Sequence, residues 1–438
     1  MLRRQIDRVR DAARRGGYSP RVKYEHEGFM LAVSPVLESE FQSGIAGDGS
    51  AAMVAIRPVV QGGTNFFGVH SDLKWGVVDG GGRFRYAPGE IPLNQASVTG
   101  GLEQVSATTG YVALGGQNAL VQVGKIGVGW GVGASGQLLL SHGSGGRDGF
   151  RLLLKYGRLR FESVTFGAPS AGIEKYVSAH RLAVRVHPRL SIGVYEAVTY
   201  TNRIELAYAN PFAVYLMAIP IVERARESPS RPRLSRDNGF LGGDIMYRAG
   251  ERTLLYADLM VDDFQPQELS GGFRAWDTKF AVQLGVFAVE PLGLEDVAAR
   301  FEYTFVNQYA YTHEVPGLEY TSRGSPIGFH TGPDADDFRV EAAHWLRPWA
   351  RVSLTGRVIR EGGQGIEIPH SVDDSVTWDY VSGVRETRRT LAARVEVTDL
   401  RRRRLAVEFR AGDLQNRGNV PSGAESIREA EVSLTYAL

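Results

Sequence analysis

A period of two along the chain sets the strongest limit on its fold. In the stretch 181–186, Leu182, Val184 and Val186 share one side of an extended backbone and Arg181 and Arg185 the other. Phe301, Tyr303 and Phe305 oppose Arg300, Glu302 and Thr304, and Leu391, Ala393, Val395 and Val397 oppose Arg394 and Glu396. Leu405, Val407 and Phe409 lie opposite Arg404, Glu408 and Arg410, while Leu255, Ala257, Leu259 and Val261 lie opposite Tyr256, Asp258 and Asp262. Strands with one oily and one charged face separate two different media. A soluble antiparallel sandwich alternates as well. Connection lengths distinguish the two, because short turns (187–189, 249–252, 346–349, 399–402) take turns with long loops (201–239, 307–337, 360–388, 411–427). Short turns at one end and long loops at the other are the build of a bacterial outer-membrane barrel.

From residue 175 to the C-terminus the pattern accommodates eleven strands. Seven more fit near 29–41, 51–61, 69–78, 105–114, 120–128, 148–156 and 158–167. The expectation is an all-β, transmembrane antiparallel β-barrel of about 18 strands, an even number that puts both termini on the periplasmic side. Residues 28–438 would form the barrel. Residues 1–27, with "LRRQIDRVRDAARRGG" ending in Gly16-Gly17, are expected to hold a short periplasmic helix closed by a glycine cap.

Composition permits this fold and narrows the function. Lys plus Arg number 50 and Asp plus Glu 49, so no single-sign field favours nucleic acid. Cysteine is absent, which removes disulfides, thiolate metal sites and a cysteine nucleophile. No run approaches 18 consecutive apolar residues, so no helical span is expected, whereas strands of about 9 to 11 alternating residues can cross a membrane. The first residues are basic but lack an apolar leader segment, so an exported protein is expected to carry its leader ahead of them.

One motif points elsewhere. Gly131-Val-Gly133-Ala-Ser-Gly136 matches the dinucleotide-binding G-x-G-x-x-G. That pattern binds a pyrophosphate only between a buried strand and a helix, and the "QLLLSHGSGGRDG" that follows is too short and glycine-rich for a helix. The glycines are expected instead to begin a surface-facing loop at 129–147.

Six stretches resemble, in order, the Wzi-type capsule assembly proteins: 123–141 (VGKIGVGWGVGASGQLLLS), 179–200, 208–212 (YANPF), 237–264, 303–313 (YTFVNQYAYTH) and 332–338 (GPDADDF). The resemblance implies an eighteen-stranded barrel with an N-terminal helical part, holding capsular polysaccharide at the cell surface as a lectin does, without catalysis or cofactor. Three departures stand out: the helical part is very short, Trp130-Gly131-Val132-Gly133 replaces the family's Trp-Gly-Pro-Gly, and the sequence ends in Leu438, with Tyr436 on the same face, where an aromatic usually closes such barrels.

For an enzyme, convergent acid, base and nucleophile groups are required. The histidines are scattered, and neither H-E-x-x-H nor G-x-S-x-G occurs. The acid pairs Asp262-Asp263 and Asp336-Asp337 are more in keeping with a barrel rim than with hydrolysis or calcium, whose loops need a denser set of oxygens. The charged residues Arg300, Glu302, Arg394, Glu396, Arg404 and Glu408 are expected in the lumen. There their alternating sign suits sugar hydroxyls, a braced plug or cross-strand ion pairs better than strong ion selection. Glycans bind flat aromatic faces and planar polar groups, so the aromatic and acidic loop 307–337 is the expected polysaccharide site, through Tyr311, His313, Asp334 and Asp336. Loop 201–239, with Tyr208, Asn210 and Tyr215, is a second aromatic surface. The alternative is an outer-membrane porin or solute transporter, since a barrel of this size can leave an aqueous channel. Expected partners are extracellular or capsular polysaccharide, outer-membrane lipid and lipopolysaccharide, and the outer-membrane assembly machinery, with no nucleic acid.

Overall fold

The computed structural model describes residues 22–26, 28–44, 49–80, 84–85, 91–93, 102–170, 172–226, 237–262, 279–315, 317–369, 380–399 and 403–437. Eighteen antiparallel strands make the wall: β1 Phe29–Ser43, β2 Ser50–Gly63, β3 Phe67–Gly80, β4 Glu103–Gly115, β5 Ala119–Ile126, β6 Arg147–Tyr156, β7 Leu159–Gly167, β8 Lys175–His187 and β9 Leu190–Thr201. The other half is β10 Asn238–Ala249, β11 Thr253–Asp262, β12 Lys279–Val289, β13 Val297–Val306, β14 Ala335–Arg347, β15 Ala350–Glu361, β16 Glu386–Thr398, β17 Arg404–Gln415 and β18 Ala424–Ala437. Each pairs with its sequence neighbour, and β18 closes the ring on β1 through Ala437 opposite Val36 and Ala430 opposite Ser43. Closure leaves no open edge, as a bilayer requires of a sheet.

The extra strand Val22–His26 pairs with Phe29–Val33 of β1, on the same edge that β18 occupies higher up. It therefore continues the edge where β18 ends. This corrects the boundary drawn at residue 27, since residues 22–26 are strand rather than helix. The helix expected before them falls on residues 1–21, outside the described residues.

Register confirms the two faces. Outward positions such as Leu255, Leu259, Leu284, Phe301, Leu354, Val395 and Leu405 are exposed apolar side chains. They form the lipid-facing band, and exposed aromatics border it near the short turns: Tyr156, Tyr247, Trp345, Trp349 and Tyr436. Tyr436 also stacks under the Arg403 guanidinium at 5.4 Å. Inward positions differ between two halves of the barrel. From β7 to β13 an apolar cluster fills the inside around a few buried polar groups such as Glu162, Asp258 and Glu302, while from β14 through β18 to β1 the inward positions are rich in charge and β2 to β4 add a small apolar cluster of Ala51, Met53, Val78 and Val105.

Candidate functional site

The apolar cluster exists because two connections turn into the barrel. Residues 127–146 leave β5 and run inward, burying Val128, Trp130 and Leu138 to Leu140 against inner-wall residues Phe166, Val177, Tyr195, Phe240 and Met260. The Trp130 indole N–H donates to Glu162 at 3.0 Å, and Glu162 also meets Arg151 at 2.7 Å. Glu302 on β13 is fully buried and receives the Ala134 and Ser135 backbone N–H groups, each at 2.7 Å, and the Tyr256 hydroxyl at 2.5 Å. Arg300 reaches the Val132 carbonyl at 3.4 Å, and Gln283 donates to Gly136 at 3.1 Å.

This geometry corrects the expectation of a surface-facing loop at 129–147. The glycines allow the backbone to press against the wall: a Cβ on Gly133 would lie 2.1 Å from the Gln283 Oε1 atom, and Gly131 has φ +117°. Successive backbone N–H groups make an anion-binding concavity. Here the anion is the Glu302 carboxylate, so the position a nucleotide phosphate would need is already taken.

The second inward segment, 307–334, docks on the first. Its Tyr311 hydroxyl donates to the Leu138 carbonyl at 2.6 Å, its Tyr311 N–H to Asp262 at 2.7 Å, and Ser141 N–H donates to Ile327 at 3.0 Å. Tyr311, Tyr320 and Phe240 pack as a ring cluster with centroids 4.4 to 6.5 Å apart. Burial raises both the Tyr311 and Tyr320 phenols well above their ordinary pKa, so these groups stay protonated.

The residues expected to bind polysaccharide are therefore not gathered on an open loop. Tyr311 is inside the plug and His313 is buried beside it, with its Nδ1 accepting the Val315 N–H at 3.0 Å. Asp334, at φ +53°, accepts the N–H groups of Ser382 at 2.8 Å and Gln364 at 3.2 Å together with the Ser382 hydroxyl, tying the plug to the loop after β15. Asp336 faces the outside of the wall, in register with Phe305, and is clamped by Arg360. Its neighbour Asp337 faces inward to Arg357 at 2.5 Å. In loop 201–239, Tyr208 and Tyr215 are buried as well, and Asn210 caps a turn by accepting the Phe212 N–H at 3.1 Å.

The other half of the lumen carries a ladder of opposite charges. Arg394 lies 3.2 Å from Glu408 and 3.7 Å from Glu396, and Arg404 lies 2.6 Å from Glu396. The ladder continues through Arg410 and Glu429 at 2.8 Å, and on β1 to β3 through Arg57 with Glu38 and Asp72. At its outer mouth is a cavity of about 370 Å³ lined by Gly44, Arg388, Leu414, Arg417, Glu425 and Glu429. Arg417 pairs with Glu425 at 2.8 Å, whereas the half-buried Arg388 has no hydrogen bond or ion pair among the described residues. Sequence reading missed Arg388. Its only signal was its place on the same inward face as Thr390, Ala392 and the ladder residue Arg394.

No protein-family model and no curated protein matches the chain. Solved structures do. Wzi from Escherichia coli, described as an outer membrane protein involved in group 1 capsule assembly and a carbohydrate-binding β-barrel, is similar with a TM-score of 0.60 at 13% identity, over 93% of this chain and 84% of that one. OprD of Pseudomonas aeruginosa is similar with a TM-score of 0.53 at 10% identity, over 96% of this chain and 98% of that one. At these identities the likeness is one of fold. Closed ring, exposed apolar band and shared architecture together make this chain a β-barrel of the bacterial outer membrane.

Proposed function

We propose that this barrel binds capsular or other extracellular polysaccharide at the cell surface and catalyses no reaction on it. The observation that carries the reading is the division of the lumen. Two inward segments are bonded to the wall by side chains from β7, β11, β12 and β13, while the charged half opens at its outer mouth into a polar cavity where the Arg388 guanidinium has no hydrogen bond or ion pair among the described residues. A diffusion channel needs a continuous wet path; a glycan site needs fixed planar hydrogen-bonding groups in a concave setting. Arg388, Arg417, Glu425 and Glu429 supply such groups. The six stretches that resemble the Wzi-type proteins support the same reading. On this view Tyr311, His313, Asp334 and Asp336 act by bracing the plug and rim around the site. The outer-membrane assembly machinery belongs to the proposal as the partner that inserts the barrel.

Two measurements test it together. The purified barrel in planar bilayers is expected to pass almost no steady current and, in detergent, to retain acidic capsular polymer on a column, with retention reduced by Arg388→Ala and Arg417→Ala. A large steady ohmic current without polymer retention identifies a porin and refutes the reading.

A further inference from the structure

The connection between β9 and β10 carries two helices, α1 Leu206–Ala209 and α2 Tyr215–Arg226, and its described part does not enter the lumen. On β8 and β9, Val177, Ala179, Tyr195 and Ala197 face the plug. Their alternates Tyr176, Ser178, His180, Glu196, Val198 and Tyr200 therefore face outward. Tyr208, Tyr215, Ala218, Ile219 and Val222 of the helical hairpin pack with Tyr176, Val198 and Tyr200, so the hairpin lies on the outside of the wall.

It covers a strongly polar patch on that face. His180 Nε2 meets Glu196 at 2.6 Å, and the Thr165, Ser178 and Tyr200 hydroxyls form a chain with steps of 2.9 and 3.0 Å. Glu196 is in register with Leu241, and Leu241 with Val261, so the carboxylate sits at the level of apolar outward neighbours. An uncovered carboxylate there would be costly in lipid. The hairpin satisfies it: the Tyr215 and Leu216 N–H groups donate to its two oxygens at 3.0 and 3.4 Å, and the Tyr215 ring lies 4.4 Å from that of His180. Phe212 stacks on Phe161 at 5.5 Å, and Ile219 fits over Gly239, where a Cβ would come within 2.9 Å of it.

The far side of the hairpin is apolar too. Leu206 is 80% exposed, Met217 71%, Phe212 69% and Ile221 69%, and Tyr215 to Val222 contains no charged residue. A helix that is apolar all round needs an apolar neighbour on every side. Below the hairpin the same outer face continues as Leu182 and Val194 of the lipid-facing band. We propose that the hairpin, residues 204–222, lies in the plane of the outer leaflet with Leu206, Phe212, Met217 and Ile221 against lipid acyl chains. Its helices are far too short to span the bilayer, so they extend the barrel's lipid contact sideways. The sequence that follows contains Arg224, Arg226, Arg231, Arg233 and Arg236, of the sign that lipid phosphates attract.

The chain has no cysteine, so single labels can be placed without background. Met217→Cys and Ile221→Cys would carry a bimane fluorophore, with Leu259→Cys as the lipid reference and Arg323→Cys, on an exposed turn, as the aqueous one. Each is refolded into phosphatidylcholine vesicles with or without brominated acyl chains, and only protein migrating as heat-modifiable folded barrel is compared. The expected result is a loss of emission in brominated vesicles comparable to that at Leu259, with little quenching by iodide. Iodide quenching like that at Arg323 overturns the proposal. Protection from both quenchers also overturns it, because the hairpin would then be covered by protein, such as a second copy of the chain.

Discussion

Removing the Glu302 carboxylate is the sharpest way to test whether the plug is held by the wall. The Glu302→Ala change deletes two bonds to the backbone N–H groups of Ala134 and Ser135 and one to the Tyr256 hydroxyl, all in a fully buried setting. Hydrogen bonds to a charged partner contribute about 1.5–3 kcal/mol each, so the two backbone bonds alone hold the segment by about 3 kcal/mol at the low end. The low end applies because the truncated side chain leaves space for water to reach both amides. Since about 1.4 kcal/mol is a factor of ten, Ala134 and Ser135 should exchange hydrogen roughly a hundredfold faster in the variant. Hydrogen exchange read by NMR or mass spectrometry, on protein whose heat-modifiable mobility is unchanged, measures this directly. Amides in the β10–β11 hairpin should stay protected, because the loss is local. Unchanged exchange at both amides would show that Glu302 does not anchor the plug and would refute the reasoning.

Arg in place of Leu259 should lower folding yield in vesicles, because a cation on the lipid face near the midplane costs about 2–4 kcal/mol, whereas the lumen-side Asp258→Asn should be milder; equal yields would contradict the facing. The wild-type protein should show no saturable binding of NAD or ATP by calorimetry, since Glu302 fills the backbone cradle at Ala134 and Ser135. Saturable binding that Gly133→Val abolishes would reverse that conclusion. Tyr311→Phe, which loses the hydrogen bond to the Leu138 carbonyl and the one accepted from the Phe329 N–H, should lower stability by about 1–3 kcal/mol in urea titration yet leave polymer retention intact; lost retention in a folded variant would make Tyr311 a direct polymer contact. Arg404→Ala, breaking a partly exposed pair with Glu396, should change stability by no more than about 1 kcal/mol. A larger loss would mean that the ladder acts as one cooperative network.

The period-two pattern determined the wall by itself. Side chains on a strand alternate strictly, so Leu255 with Leu259 against Tyr256 with Asp258 assigns both faces without knowledge of any partner strand. Turn lengths set which end is which, and the strand count follows from the same local signals. The loops were different. Those at 127–146, 202–226 and 307–334 all mix aromatics, glycines and charges, and nothing in their composition says on which side of the wall each will pack. Tyr208 and Tyr215 are buried outside the barrel while Tyr311 and Tyr320 are buried inside it. The difference lies in partners far away in sequence: Glu302 meets Ala134 across 168 residues, and Leu138 meets Tyr311 across 173. Such contacts become definite only when the ring closes and fixes where the wall carboxylates, Glu162 and Glu302 within and Glu196 without, stand to receive a loop's backbone N–H groups or indole.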